Sequence, residues 1–294
     1  MSTHLAVAFA AADPTLNSVA AVLGSDITTG RSTDRWTAAR FVGDFDEDTV
    51  STARDLVTGA GGTFLVLPEA LTEPGPGLLV SDVDSTLITA EVIELIAERA
   101  GTRAEVAAVT DRAMRGELDF AASLTQRVAT LAGVPEGVFA DVLQEVEFSP
   151  GARELAACLH LSGWTFGLVS GGFTEVVSGL ADQLDIGHHL ANRLEVADGV
   201  LTGRVLGDIV TADTKAQMLR QWADELGIAP ERTVAVGDGA NDLVMMSQAA
   251  VGFAYRAKPI VAEQATARID FPGLDVIGEL LGLGAHLDSS PVSR

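Results

Sequence analysis

The sequence predicts an α/β protein: a parallel sheet with a helical cap inserted after its first strand, preceded by a small α+β unit. Three observations carry this. Near-continuous apolar runs, "GLLVSD" (77–82), "TFGLVSGG" (165–172), "TVAVGDG" (233–239) and "AVGFAY" (250–255), are the mark of strands buried on both faces of a parallel sheet. The stretch from about 90 to 147 has helical periodicity and no strand signal, too much chain for a simple crossover. Residues 1 to 72 follow a different rhythm of strands and helices, suited to a small α+β domain.

In order along the chain, "HLAVAFAA" reads as a strand, "TLNSVAAVLG" as a short helix, "WTAARFVGDF" as a strand, "EDTVSTARDLVTGAG" as a helix and "TFLVLP" as a strand. This unit could bind an amino acid, mediate dimer contacts or shield the core; contacts in a homodimer are the leading expectation. "TEPGPG" (72–77), rich in proline and glycine, supplies a linker. The second unit is expected over 77–285, with its cap over about 89–148 built from "EVIELIAERA", "RAEVAAVTDRAM", "FAASLTQRVATLAG" and "PEGVFADVLQEV". "LEVADGVLTG" (194–203) alternates around Asp198 and Gly199, a hairpin signal. Residues 286–294 are expected to form a flexible tail.

Composition narrows the function. The 294 residues are 47% hydrophobic, enough for a full core. Lysine and arginine total 19 against 41 aspartates and glutamates, and the formal charge of −22 argues against nucleic acid and anionic lipid as partners. An anionic substrate must then be held by local positive charge. The single cysteine, Cys158, sits in a helical pattern with Leu155 and Leu159 and reads as a core filler in a reducing compartment. The start lacks a basic leader, and no apolar segment has the roughly 18 residues of a membrane span. The expectation is a cytoplasmic protein.

Ligands of open α/β sheets bind beyond the carboxyl ends of the strands. The first strand places Asp82 and Asp84 there, the second Ser170, Gly171 and Gly172 ahead of a helix, and the third Asp238, Gly239, Asn241 and Asp242. An aspartate after one strand is usually a turn former or a cap. Converging carboxylates repel one another, however, and a fold keeps them together chiefly where a hard cation such as magnesium neutralises them. The "SGG" turn before a helix is a natural nest for phosphate oxygens. Together these features describe a phosphate held on magnesium beside a carboxylate.

"DVDSTL" matches the DxDx[TV] first motif of the haloacid dehalogenase (HAD) superfamily, "SGG" its second, and Lys215 with "GDGAND" its third and fourth. From about 77 to 280 the chain resembles the phosphoserine phosphatases of serine biosynthesis. The resemblance implies a HAD-like Rossmannoid core, often preceded by a ferredoxin-like or ACT-like module, and hydrolysis of O-phospho-L-serine to L-serine and phosphate, the last step of L-serine biosynthesis. Residue chemistry assigns Asp82 as the nucleophile that forms an aspartyl phosphate and Asp84 as the acid and base. Magnesium (Mg2+) is expected on the Asp82 side chain, the Asp84 main-chain carbonyl and Asp238, supported by Asp242, with Lys215, Ser170 and the Gly171 amide on the phosphoryl oxygens.

Phosphoserine also carries an ammonium and a carboxylate, so a selective pocket wants one acidic and one basic residue. Arg127 borders the apolar stripe of Phe120, Leu124, Val128 and Leu131, and arginine forks onto carboxylates. The resemblance places Glu91 on the ammonium, Arg127 on the carboxylate, Met114 and Phe120 along the pocket and Asn241 on the substrate. The alternatives are phosphoryl transfer, another small phosphomonoester, or an inactive amino-acid sensor.

Overall fold

The computed structural model describes residues 2–10 and 15–283, apart from the side chain of Met114. The expected tail, 286–294, lies outside the described residues. The chain opens with β1 (Thr3–Ala10), α1 (Thr15–Leu23), β2 (Thr29–Ser32), β3 (Trp36–Gly43), α2 (Glu47–Gly59) and β4 (Thr63–Val66). Its sheet has the order β2-β3-β1-β4 with every pairing antiparallel, the interleaved βαββαβ topology of ferredoxin-like folds. β1 lies at its centre with both faces buried: Leu5, Val7 and Phe9 pack with Val19 and Val57 of α1 and α2. Ala6 and Ala8 face the other way and join Trp36, Leu65 and the large core of the rest of the chain. β2, "TGRS", was not expected; as a short, exposed edge strand it has no apolar alternation to reveal it.

The remaining elements are β5 (Leu78–Ser81), α3 (Val92–Ala100), α4 (Arg103–Met114), α5 (Phe120–Ala129), α6 (Val138–Glu145), α7 (Ala152–Leu161), β6 (Thr165–Phe173) and α8 (Thr174–Gln183). Then follow β7 (His188–Ala197), β8 (Val200–Leu206), α9 (Ala212–Leu226), β9 (Thr233–Gly237), α10 (Leu243–Gln248), β10 (Val251–Tyr255), α11 (Pro259–Gln264), β11 (Ala267–Ile269) and α12 (Val276–Leu280). The sheet order is β11-β10-β9-β5-β6-β7-β8, parallel except for β8, which returns antiparallel on β7. Asp198 and Gly199, with φ of 52° and 77°, make the expected hairpin turn. The order reverses beside β5, whose neighbours are β6 and β9, and such a switch point opens a crevice at the strands' carboxyl ends.

The helical insertion leaves and returns through neighbouring strands of chain: Ile88 bridges Phe148, Thr89 N–H donates to the Glu147 carbonyl (3.0 Å) and Ser149 N–H to that of Leu87 (2.9 Å). The 72–77 linker is tied down by Arg232, whose guanidinium donates to the carbonyls of Pro76 (2.6 Å), Gly75 (2.7 Å), Glu73 (3.1 Å) and Ala70. α12 packs on β1 and β3, and Thr63 Oγ1 donates to the Arg268 carbonyl (2.7 Å), so the first sheet is seated on the second unit. Cys158 is buried on α7 as expected, and burial pushes its thiol up to about 11. Among the described residues no helix is long and apolar enough to cross a membrane.

Candidate active site

β5 carries its last ladder contact one residue beyond its end, where Asp82 N–H donates to the Val236 carbonyl of β9 (2.9 Å). The chain then breaks into a tight turn, Val83–Leu87, with Ser85 at a φ of 57°. Such left-handed backbone costs a non-glycine residue about 1 to 2 kcal/mol. The turn sets Asp82 and Asp84 together at the strand end, both lining one cavity of about 710 Å³.

Behind Asp82 stands Lys215, in the first turn of α9, a helix started by a capping box in which Thr211 Oγ1 accepts from Thr214 N–H and Thr214 Oγ1 from Thr211 N–H. Its ammonium donates to Asp82 Oδ1 (2.6 Å) and Asp242 Oδ1 (2.7 Å), and all three side chains are buried. Asp242 Oδ2 accepts from Gly239 N–H (3.0 Å), and its carboxylate lies so close to Gly237 that a Cβ there would stand 2.3 Å from its Cγ. Asp238 accepts from Thr86 Oγ1 at 3.4 Å. Asp82, Asp238 and Asp242 can each bring one oxygen within 4.8 Å of the others.

Three carboxylates around one ammonium leave an excess of negative charge. Burial, then the charge of Asp242, pushes Asp82 well above the ordinary carboxylate range and Asp238 up to about 6. Lys215 is raised: burial opposes its charge, but Asp242 and Asp82 outweigh it. This hard, oxygen-only donor set fits a divalent cation such as magnesium. Asp84 is pushed up to about 8, first by burial and then by the charge of Glu91, against a hydrogen bond from Val92 N–H (3.3 Å).

Ser170, Gly171 and Gly172 come from the end of β6. The sequence suggested a turn; they instead remain in the strand as a bulge, with β6 running to Phe173. Ser170 Oγ accepts from Gly172 N–H (2.8 Å). A Cβ on Gly172 would lie 2.9 Å from Asp84 Oδ2, so only glycine lets the bulge approach that carboxyl. Gly171 and Gly172 line the cavity, whereas Ser170, Lys215 and Asp242 are fully buried behind its wall.

Of the specificity candidates, Glu91, Arg127, Phe120 and Asn241 all line the same cavity. Glu91, the first residue of the helical segment "EVIELIAERA" read from the sequence, is instead the N-cap of α3, with extended backbone and a carboxylate that accepts from Ser85 Oγ (2.8 Å). Arg127, on α5, keeps a buried Nε with no hydrogen-bond partner. Burial lowers its affinity for a proton, opposed by Glu91, Asp84 and Glu94. Phe120 opens α5 and lies against Gly171. Met114 ends α4, and its side chain lies outside the described residues.

Sequence reasoning missed Lys258 and Asn192. Lys258, on the loop after β10, lines the cavity; it follows the fourth apolar run, so the rule that found the other strand ends could have found it. Asn192 has no comparable sequence signal.

A family model described as haloacid dehalogenase-like hydrolase matches residues 79–247, more than half of the chain, which therefore belongs to that family. Within it the similarity is to phosphoserine phosphatases. The phosphoserine phosphatase of Streptococcus thermophilus is 52% identical over 205 residues, 70% of this chain and 95% of that protein. Phosphoserine phosphatase SerB2 of Mycobacterium tuberculosis is 50% identical over 206 residues, 70% of this chain but 50% of that longer protein. The unliganded crystal structure of a probable phosphoserine phosphatase from Vibrio cholerae superposes with a TM-score of 0.80 at 35% identity, over 99% of this chain and 90% of that one. The chain is a member of the phosphoserine phosphatase branch of its family.

Proposed function

We propose that this protein hydrolyses O-phospho-L-serine to L-serine and phosphate, closing L-serine biosynthesis. One observation carries the reading. A single cavity joins the Asp82 and Asp84 pair to Glu91 and to Arg127, whose buried Nε lacks a partner. Phosphate chemistry at one end and opposite charges at the other suit a ligand with a phosphate, an ammonium and a carboxylate.

In the proposed reaction, Oδ1 of Asp82 is held by Lys215, and the other carboxylate oxygen attacks phosphorus. The bond from phosphorus to the serine oxygen breaks, and Asp84 gives that oxygen its proton. Water then attacks the phosphorus of the aspartyl phosphate while Asp84 takes the water's proton, and inorganic phosphate leaves with Asp82 restored. Lys215, Ser170 and the Gly171 amide offset charge on the phosphoryl oxygens. Asp82, the Asp84 carbonyl and Asp238, with Asp242 behind them, would hold Mg2+, which when bound neutralises developing negative charge.

The Asp82→Asn variant tests this. An amide is a poor nucleophile, so activity on L-phosphoserine falls below about a hundredth of wild type with an unchanged far-ultraviolet spectrum. Activity retained above that level overturns the assignment. For residues 1–72 we propose a role in a homodimer, supported by the exposed edge strand β2; sedimentation of the full chain as a monomer would contradict it.

A further inference from the structure

We infer that Asn192 is a positioning residue for the phosphate pocket, acting through the Ser170 hydroxyl. The inference rests on the phosphatase reading of that pocket. Val169 of β6 faces Leu190 of β7, and Phe173 faces Asn192, so Ser170, Gly171 and Gly172 stand against Ala191 alone. The resulting bulge takes these peptide groups out of the regular ladder, and buried peptide groups need other partners.

Two side chains supply them. Asn192 Nδ2 donates to the Gly171 carbonyl (2.8 Å), and Ser170 Oγ accepts from Gly172 N–H (2.8 Å). Carbonyl and N–H belong to one planar peptide unit, so its two ends are held from opposite sides. With Oγ already accepting from Gly172, the hydroxyl proton of Ser170 is the one left to donate. Asn192 thereby sets the direction from which Ser170 can reach a phosphoryl oxygen.

The other end of the same side chain is anchored away from the bulge. Asn192 Oδ1 accepts from Val210 N–H (2.8 Å), immediately before Thr211, the cap of the helix that carries Lys215. Only this orientation of the amide pairs donor with acceptor at both ends. At 1% exposure, Asn192 is therefore fixed at both ends, with the Val210 N–H as the anchor that aims its Nδ2 at the bulge. Aspartate lacks the donor, and serine cannot span both partners.

The test is a double-mutant cycle on the full-length protein, combining Asn192→Ser or Asn192→Asp with Ser170→Ala. Two readouts are taken: kcat/KM for L-phosphoserine, and binding of inorganic phosphate in the presence of magnesium. In the wild-type background each Asn192 substitution lowers kcat/KM and weakens phosphate binding by about tenfold or more, whereas in the Ser170→Ala background the same substitution costs less than about twofold. Equal losses in the two backgrounds would make Asn192 a purely structural residue and overturn the inference. If aspartate prevents folding, the serine variant, checked by its thermal midpoint, carries the cycle. A wild-type chain that binds phosphate with this coupling but leaves phosphoserine intact would overturn the proposed substrate and keep the role of Asn192.

Discussion

Lys215 sets its buried ammonium 2.6 Å from Asp82 and, at 2.7 Å, also engages Asp242. Removing it leaves two buried carboxylates without their cation. Breaking a buried pair in this way costs about 3 to 5 kcal/mol, so Lys215→Met should lower the urea midpoint of the metal-free protein and abolish turnover. An unchanged midpoint would show that the triad does not hold the strand end together.

Asp84 and Asp238 make the metal-free protein sensitive to alkali. Both have folded-state values, about 8 and about 6, above the ordinary 3.8. The folded chain thus holds more protons than the unfolded chain between about pH 4 and 8, and stability falls as pH rises through that window. With a chelator present, the thermal midpoint of Asp84→Asn should gain on wild type from pH 5 to 9; parallel curves would contradict the buried, proton-retaining Asp84.

Arg127 is the proposed reader of the substrate carboxylate. Arg127→Ala should weaken the use of phosphoserine by about 2 to 4 kcal/mol, mainly in KM, because a desolvated charge partner is lost. p-Nitrophenyl phosphate, which has no carboxylate, should be affected far less. Equal losses on both substrates would show that Arg127 does not read the carboxylate.

Arg232 should matter to the linker and not to catalysis. Its guanidinium donates to four carbonyls between Ala70 and Pro76. Arg232→Ala frees them at a cost of about 1 to 3 kcal/mol, and limited proteolysis within 72–77 should accelerate. Cleavage at the wild-type rate would contradict the clamp.

Strands buried on both faces, such as β5, β9 and β10, were legible because burial writes continuous apolar runs into the sequence. The acidic strand ends were legible because each follows directly on an apolar run that marks the carboxyl end of a buried strand. β2 escaped because an exposed edge needs no apolar residues, and β11 because three residues are too few for a pattern. Asn192 was invisible for a different reason: its value depends on a bulge in the neighbouring strand, a long-range relation that no local pattern encodes. The cap segment read as helix from Glu91 starts at Val92, with Glu91 as its N-cap, as helix starts are the least sharply written boundaries.

The most direct test of the account is phosphate release from L-phosphoserine by the full-length protein, with and without magnesium, beside phosphothreonine, sugar phosphates and p-nitrophenyl phosphate. Magnesium-dependent turnover with a strong preference for phosphoserine is the expected result. Flat activity across the panel would contradict the roles of Glu91 and Arg127, and no phosphate release from any ester would contradict the phosphatase itself.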